Sequence, residues 1–565
     1  MKRLSVFSKA VFALAILLVS SSCEDKLTEL NENPNVVDPA SANPNMLMPT
    51  VMTEVGKQYL NLGYGDVAGV VQHTQKDGWF SGHNSYDWTP NDWSTYYNLL
   101  RNNEFLYKRS VELNYKFHQG VALTMRAFLF GQITDLWGDA PYTDALKGDV
   151  SNDYILPKFD SQEVIYKGIL EDLKAASALF ASGDATGYRT GYDVFYNGDP
   201  AKWQKFSNSL LLRYYMRLSA KLPDVAKAGI ESIYASGVFI KTPAEDAVME
   251  YVGGTSGNSW PGAAEFESDP SEFRRRKPAK MLTDKLLSVD DPRLKVWFQP
   301  VYVRWVADPT LTVPVDPFIR KNGVIQNGTV SLTDAKYLTE IKAGAKFTRH
   351  YNPNTFTVAV DTREYVGVPA GLIDPSSYNY NPTPGQVVQN QHVSQLAEVY
   401  RGTKGGLLKA RIISAAEVSF ILAEAALKGW AAGSAETHYN AGIKNSLETW
   451  GVGGQYATFI QHKDVKFSNK LEQIMEQKWI AGWTAATEAW MDYRRTGLPA
   501  FKAGPASPEA VLPVRFIYGD NETNYNNANI LSALSKLEEN PYTKIRGKNS
   551  QWAKPWIIQG TGKPW

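Results

Sequence analysis

The chain has 565 residues, 43% of them hydrophobic, enough for a large core or for two to four domain-sized units. Its 59 basic and 58 acidic residues nearly cancel, and without a basic excess a nucleic-acid partner is not expected. One cysteine excludes an intrachain disulfide, and the usual zinc sites need several Cys or His ligands grouped together.

Lys2, Arg3 and Lys9 open the chain, Val11 to Val19 ("VFALAILLV") form a short apolar core, and Ser20, Ser21 and Ser22 precede Cys23. That order is an export signal, too short to span a hydrocarbon layer of about 30 Å. A cysteine directly after small residues resembles a bacterial lipoprotein processing site, although Ser20 stands where the pattern usually has Leu. The resemblance implies cleavage before Cys23, a diacylglycerol on its thiol and an acylated amino terminus. Such chains gain roughly 0.8 kcal/mol per buried CH₂. An ordinary signal peptide that leaves a free thiol is the alternative. Without residues 1–22 the chain carries 56 basic against 58 acidic residues, a formal charge of −2. No later stretch approaches 18 apolar residues, so the expected membrane contact is the lipid anchor alone.

Residues 24–50 are polar and interrupted by Pro34, Pro39 and Pro44, which reads as a tether, with order expected from Pro49. Helical pattern then runs to about residue 222. In "FDSQEVIYKGILEDLKAASALF", Asp160 and Glu163 suggest a capping box and Phe159 a staple onto Val164, followed by the stripe Ile165, Ile169, Leu173, Ala176 and Phe180. Asp199 and Pro200 start a second helix, with Trp203, Phe206, Leu210 and Tyr214 at helical spacing. Between 240 and 400 Gly, Pro, Asn, Thr and Tyr rise, and "TFTVAV" (355–360) is the best strand candidate. A late helix pair flanks a turn at Gly429 to Gly433 and resembles a tetratricopeptide unit, with Ala423, Ala426, Ala435 and Ala441 where helices pack closely. The expected units are a signal (1–22), a lipidated tether (23–48), a helical scaffold (49–239), a loop-rich insertion with short strands (240–405), helical pairs completing the scaffold (406–500) and an irregular end (501–565).

Several blocks together resemble the SusD/RagB family, in its second SusD-like branch. They are "NENPN", "RAFLFGQITDLWGDAPYTDAL" (126–146), "FDSQEVIYKGILEDLKAA", "GDPAKWQKFSNSLLLRYYMRLS", "YVGVPAGL" (365–372), "AAEVSFILAEAALKGW", "QIMEQKWIAGWTAATEAWMDYRRTGLP" (473–499) and "VLPVRFIYGDNETNYNNAN". The resemblance implies a mainly α fold, a scaffold of four tetratricopeptide-like helical pairs with a loop-rich region packed on it. It also implies a non-catalytic surface lipoprotein that captures a nutrient, mostly an oligosaccharide and in some members a peptide. As a partner it implies a SusC-type TonB-dependent outer-membrane channel that the protein lids.

Asp135, Trp137, Asp139 and Tyr142 in "LWGDAPY", and Asp492, Arg494 and Arg495 in "MDYRRTGLP", are read as caps, ion pairs and packing. Sugar capture needs flat rings under the pyranose and polar groups at its edge, which suits Trp and Tyr. The densest such stretch, residues 72–97, nominates Trp79, His83, Asn84, Tyr86 and Trp88, with Trp79 and Trp88 as platforms and Trp93 and Tyr97 as helix packing. Trp260, Phe266, Arg274 and Trp305 are candidates for an opposite wall, although the run Arg274–Arg276 also reads as a solvated face. The seven histidines form no HExxH, and G-x-S-x-G and Walker A sequences are absent. "GYGDVAG" misses dinucleotide spacing. "DNETNYNNAN" has alternating oxygen ligands but lacks the calcium-loop Gly and distant Glu, so no cofactor is expected beyond a weakly supported Ca²⁺. A surface glycosidase is the remaining alternative, since two carboxylates at catalytic separation cannot be read from sequence.

Overall fold

The computed structural model describes residues 43–267, 271–326, 335–382, 390–543, 547–563 and 565. The export signal, Cys23 and the tether up to residue 42 lie outside the described residues. Helix α1 (Pro44–Tyr64) begins at a proline: Asn43 caps it, its side chain accepting from the Asn45 amide at 3.0 Å, and Pro44 takes the first position, where a missing N–H costs nothing. Helical order thus starts at Pro44, and Pro49 lies inside the helix.

Helices α2 (Ser94–Glu112), α3 (Lys116–Trp137), α4 (Gln162–Ala181), α5 (Pro200–Arg217) and α6 (Pro223–Ser236) follow, each packed on its predecessor, with α1 against α2 and α3. The stripes expected on α4 and α5 are buried. Asp199 caps α5, accepting from the amides of Ala201 and Lys202 at 2.9 and 3.2 Å. The cap of α4 is Ser161, not Asp160, and Val164 is exposed, so the staple does not form. The Asp160 carboxylate instead takes the Thr143 amide at 2.7 Å and ties down the 140–143 turn.

The late pair is α7 (Ala415–Leu427) and α8 (Ala435–Thr449), capped by Ser414 and Ser434. Its closest approach is at Gly442, where a Cβ would stand 2.7 Å from the Phe420 ring; Ala435 and Ala441 are only half-buried. Helices α9 (Leu471–Ala481) and α10 (Ala486–Thr496) complete the scaffold, and the fold is mainly α.

Strands are short. β1 (Thr74–Lys76), β2 (Ala247–Glu250), β3 (Arg276–Pro278), β4 (Val303–Ala307), β5 (Arg320–Lys321), β6 (Val324–Ile325), β7 (Phe347–Tyr351) and β8 (Lys409–Ile413) carry the ladders used below. β1 pairs with β3 and β2 with β8, both antiparallel, while one four-stranded sheet runs β4-β7-β5-β6 with β4 and β7 parallel. "TFTVAV" is not a strand: Val358 is exposed and the ladder runs through the preceding "FTRHY". Nor is the arginine run solvated. Arg275 and Arg276 are buried, and the Arg276 guanidinium lies 4.3 Å from the Tyr64 ring centroid and donates to the Tyr64 carbonyl.

A buried ion network joins the two halves of the scaffold. Asp135 on α3 accepts from the Tyr166 hydroxyl at 2.5 Å and pairs with Arg217 on α5. Arg217 also pairs with Glu488 on α10, and Arg213, one turn earlier, holds Glu417 on α7 at 2.7 and 2.8 Å. Alongside it, Arg495 binds Glu424 on α7 through two bonds of 2.5 and 2.6 Å, and Asp492 binds Lys478 at 2.7 Å. Trp137 donates to the Ile517 carbonyl and Asp139 takes the Gln162 amide at 2.9 Å, so the "LWGDAPY" and "MDYRRTGLP" residues hold the scaffold.

Arg217→Ala would strand Asp135 and Glu488 in the core. Its expected cost is about 3–5 kcal/mol of unfolding free energy, seen as a lower urea midpoint, whereas Lys167→Ala, which removes an exposed Glu163 pair, should shift the midpoint by under about 1 kcal/mol.

Candidate functional site

Strand β1 feeds a loop, 77–93, that contains two residues of positive φ where L side chains are uncommon: Trp79 at +50° and Tyr86 at +57°. Hydrogen bonds inside the loop hold this shape. Asn84 clasps the Lys76 backbone, accepting from its amide at 2.9 Å and donating to its carbonyl at 2.7 Å. The Asp87 carboxylate takes the Ser81 and Ser85 hydroxyls at 2.7 and 2.6 Å and the Gly82 amide at 2.5 Å. Trp88 donates to the Gly82 carbonyl at 2.9 Å and sets its ring edge-on to Trp490 and Phe516.

His83 is fully enclosed. Its Nε2 lies 3.1 Å from the Thr74 hydroxyl and its Nδ1 3.6 Å from Asp66, and Gly69 packs so close that a Cβ there would overlap the His83 carbonyl. Burial pushes the His83 imidazole down to about 4, against the pull of Asp66. Tyr86 is also enclosed, its carbonyl accepting from Gln551, and burial drives its phenol upward. His83, Asn84 and Tyr86 therefore frame the loop, and Trp88 wedges it onto α10.

Trp79 alone of the five stands out, with 73% of its surface exposed. The Arg275 guanidinium covers the indole, 4.4 Å from the ring centroid. Arg275 is itself paired with Glu272, and Lys76 stands 4.0 Å from the same carboxylate. The β1–β3 ladder, in which Lys76 faces Arg276, thus places the loop against segment 271–278, which carries half-buried Arg274, while Phe266 is 37% exposed. Beneath the rim, Asp77 and Lys277 form a buried pair at 3.5 Å, and Lys277 donates to Gln395 at 2.6 Å. Burial pushes the Asp77 carboxyl up and the Lys277 amine down.

Trp260 and Trp305 offer no open wall, each being 1% exposed. Trp260 packs edge-on to Tyr64 at 5.1 Å. Trp305 stacks on His392 at 4.5 Å and donates to the Asn379 carbonyl at 2.9 Å. Two residues that the sequence reading passed over matter here: Arg275, which backs Trp79, and Tyr380, 41% exposed at φ +52° and edge-on to buried Trp305. A positive φ on a tyrosine leaves no mark in sequence.

Asp520–Tyr525 and Asn527–Ser535 are helices. Glu522 takes the Trp93 indole N–H at 2.9 Å, and the Asn526 and Asn529 amides go to the Pro157 and Leu156 carbonyls. Among the described residues no group of three or more His, Cys, Asp or Glu side chains is placed to hold a metal ion, and no helix is long and apolar enough to cross a membrane.

The model of the SusD-like family, described as starch-binding associating with outer membrane, matches residues 35–304 and 349–519. Solved structures agree in fold. A SusD homolog from Bacteroides fragilis superposes with a TM-score of 0.68 at 20% identity, over 92% of this chain and 100% of its own. A chitin-binding protein gives 0.67 at 22% identity over 92% and 100%. A SusD-like protein from Bacteroides thetaiotaomicron gives 0.63 at 21% over 91% and 98%. No curated protein matches the sequence.

The depressed His83 sets a pH dependence. Its folded-state value lies below the ordinary 6.5, so the stability it allows is fully present above pH 6.5 and is lost as pH falls toward 4. Buried His73 and His118, also near 4, and His392, near 3, act in the same direction. His83→Gln should therefore lose less stability than the wild type between pH 7 and pH 4.5, by about 2 kcal/mol, in urea titrations at the two pH values.

Proposed function

The chain belongs to the SusD-like family, and from that premise we propose that it is a cell-surface lipoprotein, anchored through Cys23, that captures an oligosaccharide and lids a SusC-type TonB-dependent outer-membrane channel. The observation that carries the capture step is Trp79: a large indole held outward at positive φ by a loop that Asn84 and the Asp87 carboxylate pin through internal hydrogen bonds. A residue in that conformation costs of order 1–3 kcal/mol, and a loop that keeps it presents the ring for contact. The indole is an apolar face of the size of a pyranose, and Lys76, Glu272 and Arg275 supply polar groups at its rim.

The protein acts by binding rather than catalysis and needs no cofactor in this reading. The lid role is what membership of the family suggests, with Cys23 as the proposed anchor. The chitin-binding neighbour supports a glycan ligand. Capture of a peptide in the same place is the second reading, supported by the charged rim around Trp79.

Titration calorimetry with maltoheptaose, cellohexaose and chitohexaose, and with a peptide panel, tests this. Trp79→Ala should weaken the sugar that binds best by at least tenfold. Peptide binding with no response to any glycan would overturn the glycan reading, and hydrolysis of a labelled oligosaccharide would overturn the non-catalytic one. Mass spectrometry of the mature amino terminus should show Cys23 first, and acylated.

A further inference from the structure

Helices α1 and α2 diverge beside the loop that follows β2 and leave a cleft of about 630 Å³, within the range of ligand pockets. Its walls are periodic. Gln58 and Asn61 line it from α1, and Thr95, Asn98 and Asn102 from α2, at the three- and four-residue steps that put side chains on one helix face. Tyr251 closes the third side with a buried ring.

None of these six side chains makes a hydrogen bond to another described residue, and the amide oxygen of Gln58 is buried without a partner. Asn61, Thr95 and Asn98 face solvent and Asn102 is half-buried, so their polar groups stand open to a ligand. Buried polar groups are normally paired, so an orphaned amide oxygen in the wall of a cleft points to a group that arrives from outside. The only charged lining residues, Glu54 and Lys57, neutralise each other at 2.8 Å.

We infer that this cleft, which shares no lining residue with the Trp79 rim, is a second ligand site, built for a neutral polyhydroxylated chain such as an oligosaccharide. A neutral wall gives an anion or a cation no net attraction, and the amides interrupt the apolar surface that Leu99, Tyr251 and Pro261 would offer a lipid. Planar amides, each with donors and acceptors side by side, match the vicinal hydroxyls of a sugar ring. A peptide bound by strand addition would need an exposed sheet edge, and here two helices form the walls. The site goes beyond the Trp79 reading and does not depend on it.

The test uses the full chain and the same three oligosaccharides, with pentaalanine as the neutral non-sugar control. In Trp79→Ala protein a residual sugar-binding event should persist, and adding Asn98→Ala with Asn102→Ala should weaken it at least tenfold. Asn98→Trp, which fills the cleft, should do the same. These positions are exposed or half-buried, so melting temperatures should stay at the wild-type value. Trp79→Ala that abolishes all sugar binding, or residual binding indifferent to both cleft variants, would overturn the second site and leave the first intact. Pentaalanine binding that the cleft variants remove would overturn its ligand class. Wild-type protein that binds none of the sugars would overturn both sites.

Discussion

The chain of buried ion pairs from Asp135 through Arg217 to Glu488 is the constraint on which the rest depends. Its members come from helices α3, α5 and α10, and Tyr59 of α1 reaches the same Glu488 at 3.4 Å. Each charge alone would be intolerable in the core, so each helix must sit where its partner's charge is met. Glu488 fixes α10, and α10 carries Trp490 against Trp88 and Arg494 onto the Asp135 and Val514 carbonyls at 2.7 and 2.6 Å. The loop that bears Trp79 is thereby seated on a helix whose position the ion network sets, far along the chain from the loop itself.

The loop repeats that logic on a smaller scale. Ser81, Gly82 and Ser85 bind Asp87, Asn84 clasps the Lys76 backbone, and His83 is kept neutral by burial. The ring the loop exposes most is the Trp79 indole, backed by a guanidinium that is held by Glu272. Rigid support of an exposed apolar ring lowers the ordering cost of binding, which is where preorganised sites gain affinity.

Much of the scaffold was legible because helices announce themselves at 3.6-residue spacing: the α4 stripe, the Asp199 cap and the α7–α8 pair stand where the residues placed them. Local ambiguity accounts for the small errors. Asp160 and Ser161 are adjacent and both able to cap, and only the turn at Thr143, which claims Asp160, decides between them. Long-range contacts account for the larger ones. Tyr86 reads as a loop aromatic until Gln551, 465 residues on, reaches its carbonyl. The arginine run reads as solvated until Tyr64 and Trp79 offer their faces. Trp260 and Trp305 carry no sequence mark that separates a core ring from a contact ring. Trp79 was findable because glycines flank it at 78 and 82; its partner Arg275 was not.

The amide cleft is hidden from sequence for a different reason. Gln58, Asn61, Asn98 and Asn102 are ordinary surface residues on two amphipathic helices, and neither helix alone suggests a site. Only the packing of α1 on α2 brings the two polar stripes to face each other. Association costs roughly 4–15 kcal/mol in lost freedom, more than one stacked indole can return. A chain-like ligand overcomes that cost by spreading its contacts, and a surface that offers one rigid ring and, elsewhere, a wall of unspent amides divides the task between stacking and hydrogen bonding.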